Sequence, residues 1–174
     1  MKLRGHPLRD ENFKRGKILT VESDPKASYH WDAGVASGHY LQGLKEGRLT
    51  GVVCDHCKRT VIPPRFFCEV CFRPMSRFAD LSDTGTINTY SVTYVRWDRT
   101  RLSTPLLPAV IEIDGTTSGP SAPKGALAHP GIMHLLGEID PKEIKIGMKV
   151  KAVWKSEGER EGAITDIRWF KPIG

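Results

Sequence analysis

Four cysteines are the residues in this sequence best suited to chemistry, and they stand as two pairs: Cys54-Asp55-His56-Cys57, ten residues, then Cys68-Glu69-Val70-Cys71. Two C-x2-C pairs at this spacing bring four sulfurs within reach of one tetrahedral metal ion. Each pair forms a tight knuckle, and the loop between them lets one knuckle fold back on the other. Cys54, Cys57, Cys68 and Cys71 are therefore the candidate metal ligands. Four thiolates around Zn2+ leave a negative site, which Lys58, Arg59, Arg65 and Arg73 are close enough in sequence to offset. A disulfide framework would suit a small secreted chain, but no apolar leader opens this sequence. A redox C-x-x-C is normally a single pair near a βαβ pattern, and neither condition holds here. Iron binds the same four-cysteine set in rubredoxin-type sites, so zinc against iron stays open, with zinc favoured where no electron-transfer partner is evident. With four sulfurs available, His56 is expected to be a solvated neighbour of the site rather than a ligand.

The composition bounds what can surround such a site. Hydrophobic residues make up 39% of the 174, enough for one ordinary domain and a small module. Seventeen glycines and twelve prolines imply many turns, which favours β over α. A net charge of +6 suits an anionic partner, whether nucleic acid, a phosphorylated cofactor or an acidic protein face, without choosing among them. No window approaches the roughly 18 apolar residues of a transmembrane helix. Reduced, metal-binding cysteines point to the cytoplasm.

The elements that must position the cysteines follow from the pattern. Residues 1–28 are polar and basic, a tail or an arm that wraps a partner, with a short strand at Ile18, Leu19 and Val21. In residues 29–47, Ser37 is placed to cap a helix carrying Tyr40, Leu41 and Leu44 on its buried face, and Gly47 to end it in a left-handed conformation. Trp31 and Val35 suggest a preceding helical turn on that face. The metal module occupies about 48–76. Its central run Val61-Ile62-Pro63-Pro64-Arg65-Phe66-Phe67 is stiff, and one of the two phenylalanines is expected to cover the metal site while the other packs on a neighbour.

From residue 78 the period becomes two. Strands are predicted over Thr86–Val95 (Tyr90, Val92 and Tyr94 on one face), Leu106–Ile113, Ile132–Ile139, Met148–Lys155 and Ile164–Phe170, with a helical turn at Asp140–Ile144. In the fourth, Met148, Val150, Ala152 and Trp154 face inward and Lys149, Lys151 and Lys155 outward. Five short strands with a turn between the third and fourth fit a Greek-key barrel of OB type, an SH3-like barrel being the nearest competitor. The Gly-, Pro- and Ser-rich run 115–125 is predicted to be an exposed, mobile loop. The fold class is thus mainly β: an N-terminal basic arm and helical segment (1–47), a rubredoxin-like zinc ribbon (48–77) and a C-terminal five-stranded OB-fold barrel (78–174).

The run Leu41-x-x-Leu44-Lys45-Glu46-Gly47-Arg48-Leu49, the two C-x2-C pairs, Ile62-Pro63-Pro64-Arg65 and Ile146-Gly147-Met148-Lys149-Val150 resemble the zinc-ribbon OB-fold proteins associated with acyl-CoA enzymes. The resemblance covers about 38–172. It implies a helical N-terminal segment, a zinc ribbon, an OB fold and partnership with a thiolase-like enzyme in a hetero-oligomer.

The chain holds no Gly-x-Ser-x-Gly elbow, phosphate loop or dinucleotide fingerprint. A thiolase needs a cysteine nucleophile, and here all four cysteines are committed to metal. A site with four protein ligands has no open position for water, so the metal is structural. His129 and His134 are expected in loop or surface positions. The expectation is a non-catalytic subunit of a thiolase-type acyl-CoA complex that stabilises the enzyme and helps bind the CoA moiety. Arg65, Arg73 and Arg77 are the candidates for the CoA phosphates and Phe66 for its adenine. The alternative is a single-stranded nucleic-acid-binding ribbon and OB module, which needs aromatic residues interleaved with Lys and Arg on an exposed barrel face. The inward phase of Trp154 speaks against it.

Overall fold

The computed structural model describes residues 9–21, 23, 26–120 and 129–173. They fall into two compact units, 1–32 and 33–174. In the first, α1 (Asp10–Lys14) has Asp10 and Glu11 in its first turn and Lys14 in its last, the charge order that complements a helix dipole. The expected strand at Ile18, Leu19 and Val21 is not formed: among the described residues these have no strand partner, and Leu19 and Val21 are exposed. Three apolar residues without a partner strand bury too little to order a ladder.

The second unit opens with α2 (Gly34–Lys45). It starts three residues before Ser37, with Ala33 at the N-cap and no side-chain cap, so Ser37 lies in the first turn and caps nothing. Tyr40 and Leu44 are buried as the period requires. Val35 is exposed and Trp31 is not helical, so the buried stripe begins only at Ala36. The C-terminus is a Schellman motif. Gly47 sits at φ +76, its N–H donates to the Leu44 carbonyl at 3.0 Å, and the Arg48 N–H donates to the Gly43 carbonyl at 2.8 Å. The turn sends the chain directly into β1 (Leu49–Cys54), buried along its whole length.

β1 is the centre of a three-stranded antiparallel sheet, between β2 (Arg59–Val61) and β3 (Arg77–Leu81). Seven further strands follow: β4 (Thr84–Tyr90), β5 (Thr93–Val95), β6 (Arg101–Leu106), β7 (Pro108–Ile113), β8 (Gly131–Leu135), β9 (Lys149–Trp154) and β10 (Ile167–Pro172). Five of them form one sheet in the order β10-β9-β4-β7-β8. Its two ends meet where Leu136 bridges Phe170 in parallel and the Gly137 N–H donates to the Phe170 carbonyl at 2.9 Å. That contact closes the sheet into the barrel of an OB fold. The alternation read in the sequence holds: Val150 and Ala152 face in, Lys149 and Lys151 face out, and Ala109, Ile111 and Ile113 line the interior. Tyr40, Leu44, Leu49 and Ile62 pack into the same core as Ile87, Ile111, Val150 and Phe170, so α2 and part of the small sheet share the barrel interior.

The remaining differences concern where strands stop. The predicted strand Thr86–Val95 is two elements. A bulge shifts the register between Ile87 and Thr89, the Ser91 N–H turns to the Pro108 carbonyl, and β5 leaves to pair with β6. Tyr90 and Val92 therefore pack on the core while Tyr94 is exposed. Leu106 belongs to β6, and β7 begins at Pro108. β8 ends at Leu135, because the next backbone groups go to Leu107 and Phe170. Asp140–Ile144 is a non-helical turn in which Asp140 Oδ1 accepts the Lys142 N–H at 2.8 Å. Ile164–Asp166 is a 3-10 turn that precedes β10.

The loop after β7 was predicted exposed and mobile, yet its described part is packed. Thr116 and Ser118 are buried, and Thr117 exchanges two 2.9 Å backbone hydrogen bonds with Thr60 of β2. Residues 121–125 of the predicted loop lie outside the described residues. No helix among the described residues is long and apolar enough to cross a membrane.

Asp166 makes the barrel pH-sensitive. It is buried, accepts the N–H groups of Gly162 at 2.7 Å, Ala163 at 3.0 Å and Glu161 at 3.1 Å, and lies 3.8 Å from Lys155 Nζ. Burial alone raises its pKa, but the backbone donors and Lys155 outweigh it and hold the carboxyl below the usual range. A depressed folded-state pKa gives stability that is present above the ordinary aspartate value of about 3.9 and lost as pH falls through the lower folded value. Asp166→Asn should therefore cost about 1–3 kcal/mol near neutrality and show a flatter loss of stability below about pH 4. Urea denaturation across a pH series checks this, and parallel profiles for variant and wild type contradict it.

Candidate metal centre

The first cysteine pair bridges the end of β1 and the turn into β2; the second lies in the loop that returns to β3. Cys54, Cys57 and Cys68 are buried and Cys71 is half-buried. All four sulfurs lie within 4.8 Å of one another. Cys54 Sγ is 3.6 Å from Cys71 Sγ, and Cys57 Sγ is 3.9 Å from Cys68 Sγ. Metal–sulfur bonds of about 2.3 Å in a tetrahedron give edges of about 3.8 Å, so the donor set fits one zinc-sized ion without rearrangement.

The backbone is already shaped for thiolates. The Cys57 N–H donates to Cys54 Sγ at 3.4 Å. At Cys68 burial pushes the thiol pKa up, but the N–H groups of Cys71 and Val70 outweigh it and bring the thiol down to about 7. Burial pushes the neighbouring Cys57 thiol up to about 12, and sharing its proton with the sulfurs of Cys71, Cys68 and Cys54 adds to the shift. Lys58 and Phe72, each directly after the second cysteine of its pair, sit at φ +54 and +55. Two left-handed residues at matching places show that both knuckles have the same geometry.

The charges around the sulfurs differ from the sequence expectation. Only Arg59 reaches them: its buried guanidinium lies 4.0 Å from Cys68 Sγ and 2.8 Å from Glu69 Oε1. Arg65 acts one step removed, pairing with the same Glu69 oxygen at 3.2 Å. Arg73 contributes its carbonyl, which accepts the Cys68 N–H at 2.9 Å, while its side chain is exposed, as is that of Lys58. Glu69, inside the second C-x2-C and unremarked in the sequence reading, is thus the carboxylate that organises Arg59 and Arg65. His56 is exposed, with Nδ1 3.7 Å from Cys57 Sγ.

The phenylalanines do not cover the site. Phe66 and Phe67 are 63% and 52% exposed, and Phe67 stacks on the exposed Phe72 at 6.4 Å. The cover comes instead from Val52, Val61 and Met75, with Val70 and Phe78 at the edge. Small aliphatic side chains from the sheet fit the narrow space that the knuckles leave.

The residues singled out for CoA are dispersed. Arg65 lines a cleft of about 230 Å³ between β2, the second knuckle and the start of β8, beside Arg59, Ile62, Glu69 and Pro130. Phe66 and Arg73 stand on facing stretches of the second loop, joined by the Met75 N–H to Phe66 carbonyl and Cys68 N–H to Arg73 carbonyl bonds. Arg77 lies at the first knuckle, its Nε 3.0 Å from Asp55. Phe66, Arg73 and Arg77 do not line the cleft that holds Arg65. His129 Nδ1 lies 2.7 Å from the Thr116 carbonyl oxygen. His134, on β8, lies with Nε2 3.2 Å from the Ile164 carbonyl oxygen and its ring edge-on to Phe170.

Comparison with known proteins agrees with this geometry. The rubredoxin-like zinc ribbon domain of ChsH2 matches residues 41–75, and the C-terminal OB-fold domain of ChsH2 matches residues 79–155. A DUF35 domain-containing scaffold protein of Methanocaldococcus jannaschii is 32% identical over 130 residues, 72% of this chain and 82% of the relative. The chain belongs to the DUF35 family. Among the solved structures that share its fold are these two. One is a DUF35 family protein of unknown function from Sulfolobus solfataricus (TM-score 0.56, 20% identity, 80% of this chain and 87% of that one). The other is the Ltp2-ChsH2(DUF35) aldolase (TM-score 0.54, 21% identity, 84% of this chain and 98% of that one). For a DUF35 chain the zinc ribbon domain and its four clustered cysteines account for one another, and zinc fits the donor set.

One metal ion per chain is the expected stoichiometry, read by elemental analysis of protein purified without added metal. Cys68→Ser should abolish stoichiometric metal, and chelation of the wild type should erase amide protection in β1–β3 before it affects β4, β7 and β9. A chain that keeps its ribbon protection after metal is removed contradicts a structural centre.

Proposed function

We propose that this chain is the non-catalytic, zinc-binding subunit of a thiolase-type acyl-CoA complex, acting in the cytoplasm. It stabilises a partner enzyme and helps hold the CoA moiety of the partner's substrate. The observation that carries the reading is the convergence of every cysteine in the chain on one cluster, within a family whose curated relative is a scaffold protein. A thiolate that gives a lone pair to a metal is buried in the donor set and is a weaker nucleophile toward a thioester than a free thiolate. The Ltp2-ChsH2(DUF35) aldolase supports the same assignment: there a chain of this fold is assembled with a second protein in an enzyme of carbon–carbon bonds.

The division of labour follows. The partner supplies nucleophile and base for condensation or cleavage of the acyl chain. The DUF35 chain supplies a stiff surface and cations for the distal, phosphorylated end of the substrate. Arg65 at its cleft, with Phe66, Arg73 and Arg77, carries that second role. Phe66 and Arg73 are exposed and enter no ion pair among the described residues, so they are free to meet a phosphate or an adenine. The barrel is less suited to single-stranded nucleic acid. Lys149 and Lys151 are paired with Asp114 and Asp83, and Trp154 lies against the core beneath Arg160.

Co-expression with thiolase-type enzymes encoded beside it should yield a hetero-oligomer that survives size-exclusion chromatography and has acyl-CoA condensing or cleaving activity. That activity should fall when the DUF35 chain is omitted and should not arise from this chain alone. A partner equally stable and active without it, or turnover of an acyl thioester by the isolated chain, contradicts the proposal.

A further inference from the structure

β5 and β6 belong to neither larger sheet: among the described residues they pair with each other and with no third strand. The hairpin they form ends in Arg96-Trp97-Asp98-Arg99-Thr100, and its tip is rigid. The Arg99 N–H donates to the Arg96 carbonyl at 3.0 Å, the Arg96 N–H to the Thr100 carbonyl at 2.9 Å, and the Thr100 N–H to Asp98 Oδ1 at 2.9 Å. This is a tight turn followed by a left-handed residue, Arg99 at φ +68, in the place where such hairpins usually carry glycine. An arginine held there against its conformational preference directs attention to what the tip displays.

It displays Trp97, 96% exposed, with Tyr94, Val95 and Leu106 also exposed along the two strands. Arg96, Arg99 and Arg101 are exposed on the same hairpin, and none enters an ion pair among the described residues. By contrast Arg48, Arg59, Arg65, Arg77 and Arg168 each face a carboxylate, though Arg73 and Arg160 face none among the described residues. The one acid at the tip, Asp98, is engaged by the backbone. An exposed Trp on a hairpin that also carries three arginines without ion pairs among the described residues has the composition of an interface hot spot, where Trp, Tyr and Arg dominate.

We propose that this hairpin is the docking arm of the chain. Trp97 enters an apolar cleft on the partner enzyme, and Arg96, Arg99 and Arg101 meet carboxylates at the mouth of that cleft. The inference rests on the scaffold reading above and adds to it the surface and the chemistry of the complementary site. Three arginines against one aspartate call for an acidic rim. Exposed Val95 and Leu106 call for an apolar protein wall rather than stacked bases, for which aliphatic side chains offer nothing.

The test uses the full chain and the thiolase-type enzyme that co-purifies with it. Trp97→Ala should weaken the complex at least tenfold by titration calorimetry, whereas Trp97→Phe should retain most of the affinity. Arg96→Glu, Arg99→Glu and Arg101→Glu together should slow association and flatten its dependence on salt. Zinc content and the thermal transition should stay at wild-type values, which separates lost contact from lost fold. Wild-type affinity in both the Ala and the triple variant overturns the inference and leaves the scaffold reading standing. A wild-type chain that binds no such enzyme removes the scaffold reading and the inference with it. Trp97-dependent binding of single-stranded DNA, with enzyme binding unchanged, assigns the hairpin to polynucleotides and likewise overturns the proposal.

Discussion

Sulfur holds the ribbon together where a hydrophobic core cannot. Apart from its cysteines, the buried cluster of the small sheet is Val52, Val61 and Met75. So few apolar side chains fall far short of the conformational entropy lost in ordering three strands and two knuckles. Four thiolates on one ion replace the missing core, because they tie the end of β1 to the loop before β3 at a single point. They also fix the two left-handed residues, Lys58 and Phe72, whose backbone would otherwise drift to easier conformations. In a site this small, each N–H aimed at a sulfur is part of the same constraint: it favours the thiolate that the ion requires.

The constraint does not end at the ribbon. β2 carries Arg59, whose guanidinium lies against Cys68 and Glu69, and the next residue, Thr60, is hydrogen-bonded through its backbone to Thr117. Two residues further on, Gly119 sits at φ +69, and a Cβ there would come within 2.3 Å of the Cys57 carbonyl oxygen. Glycine is required at that position twice over, by conformation and by space. On the other side, Leu49 and Ile62 leave the small sheet to join the barrel core. The knuckle region, the loop after β7 and the barrel interior thus form one continuous packed body. A force applied to the ribbon is passed to the barrel instead of being absorbed by a tether, which is what holding a partner in register demands.

What the sequence made legible has a physical pattern. Cysteine spacing is an unambiguous signal, because few other arrangements use two C-x2-C pairs. The inward phase of Val150 and Ala152 was equally plain, because one face of β9 is buried and the other solvated. Gly47 announced the end of α2. Ser37 misled, because a capping residue type carries no weight when the chain reaches helical geometry earlier, from Ala33. The phenylalanines misled for a related reason: size was taken to imply burial, yet the space above the sulfurs suits only Val52, Val61 and Met75. The break at Ile87–Thr89 was invisible, since a bulge depends on how β4 meets β7 and leaves the alternation of Tyr90, Val92 and Tyr94 intact in the sequence. The pairing of Thr117 with Thr60 was invisible because small polar residues in a Gly- and Pro-rich run read as loop whether or not another strand lies beside them.

Net charge gave the least information, and the reason bears on function. A total of +6 is compatible with any anionic partner. The structure distributes it unevenly. Several cations around the sulfurs and along the barrel are matched: Arg59 and Arg65 by Glu69, Lys149 by Asp114, Lys155 by Asp166. Such pairs mainly fix local geometry, and exposed ones add little stability. Three cations without an ion pair among the described residues, Arg96, Arg99 and Arg101, fall together on the strand pair that belongs to neither larger sheet, beside Trp97, the most exposed large hydrophobic side chain described in 33–174. Exposed charge beside exposed aromatic surface adds little to a monomer's stability, and three hydrogen bonds shape the backbone of the turn that displays it. The two sheets can be understood from their own contacts, while the hairpin between β4 and β7 keeps Trp97, Tyr94 and Leu106 exposed among the described residues.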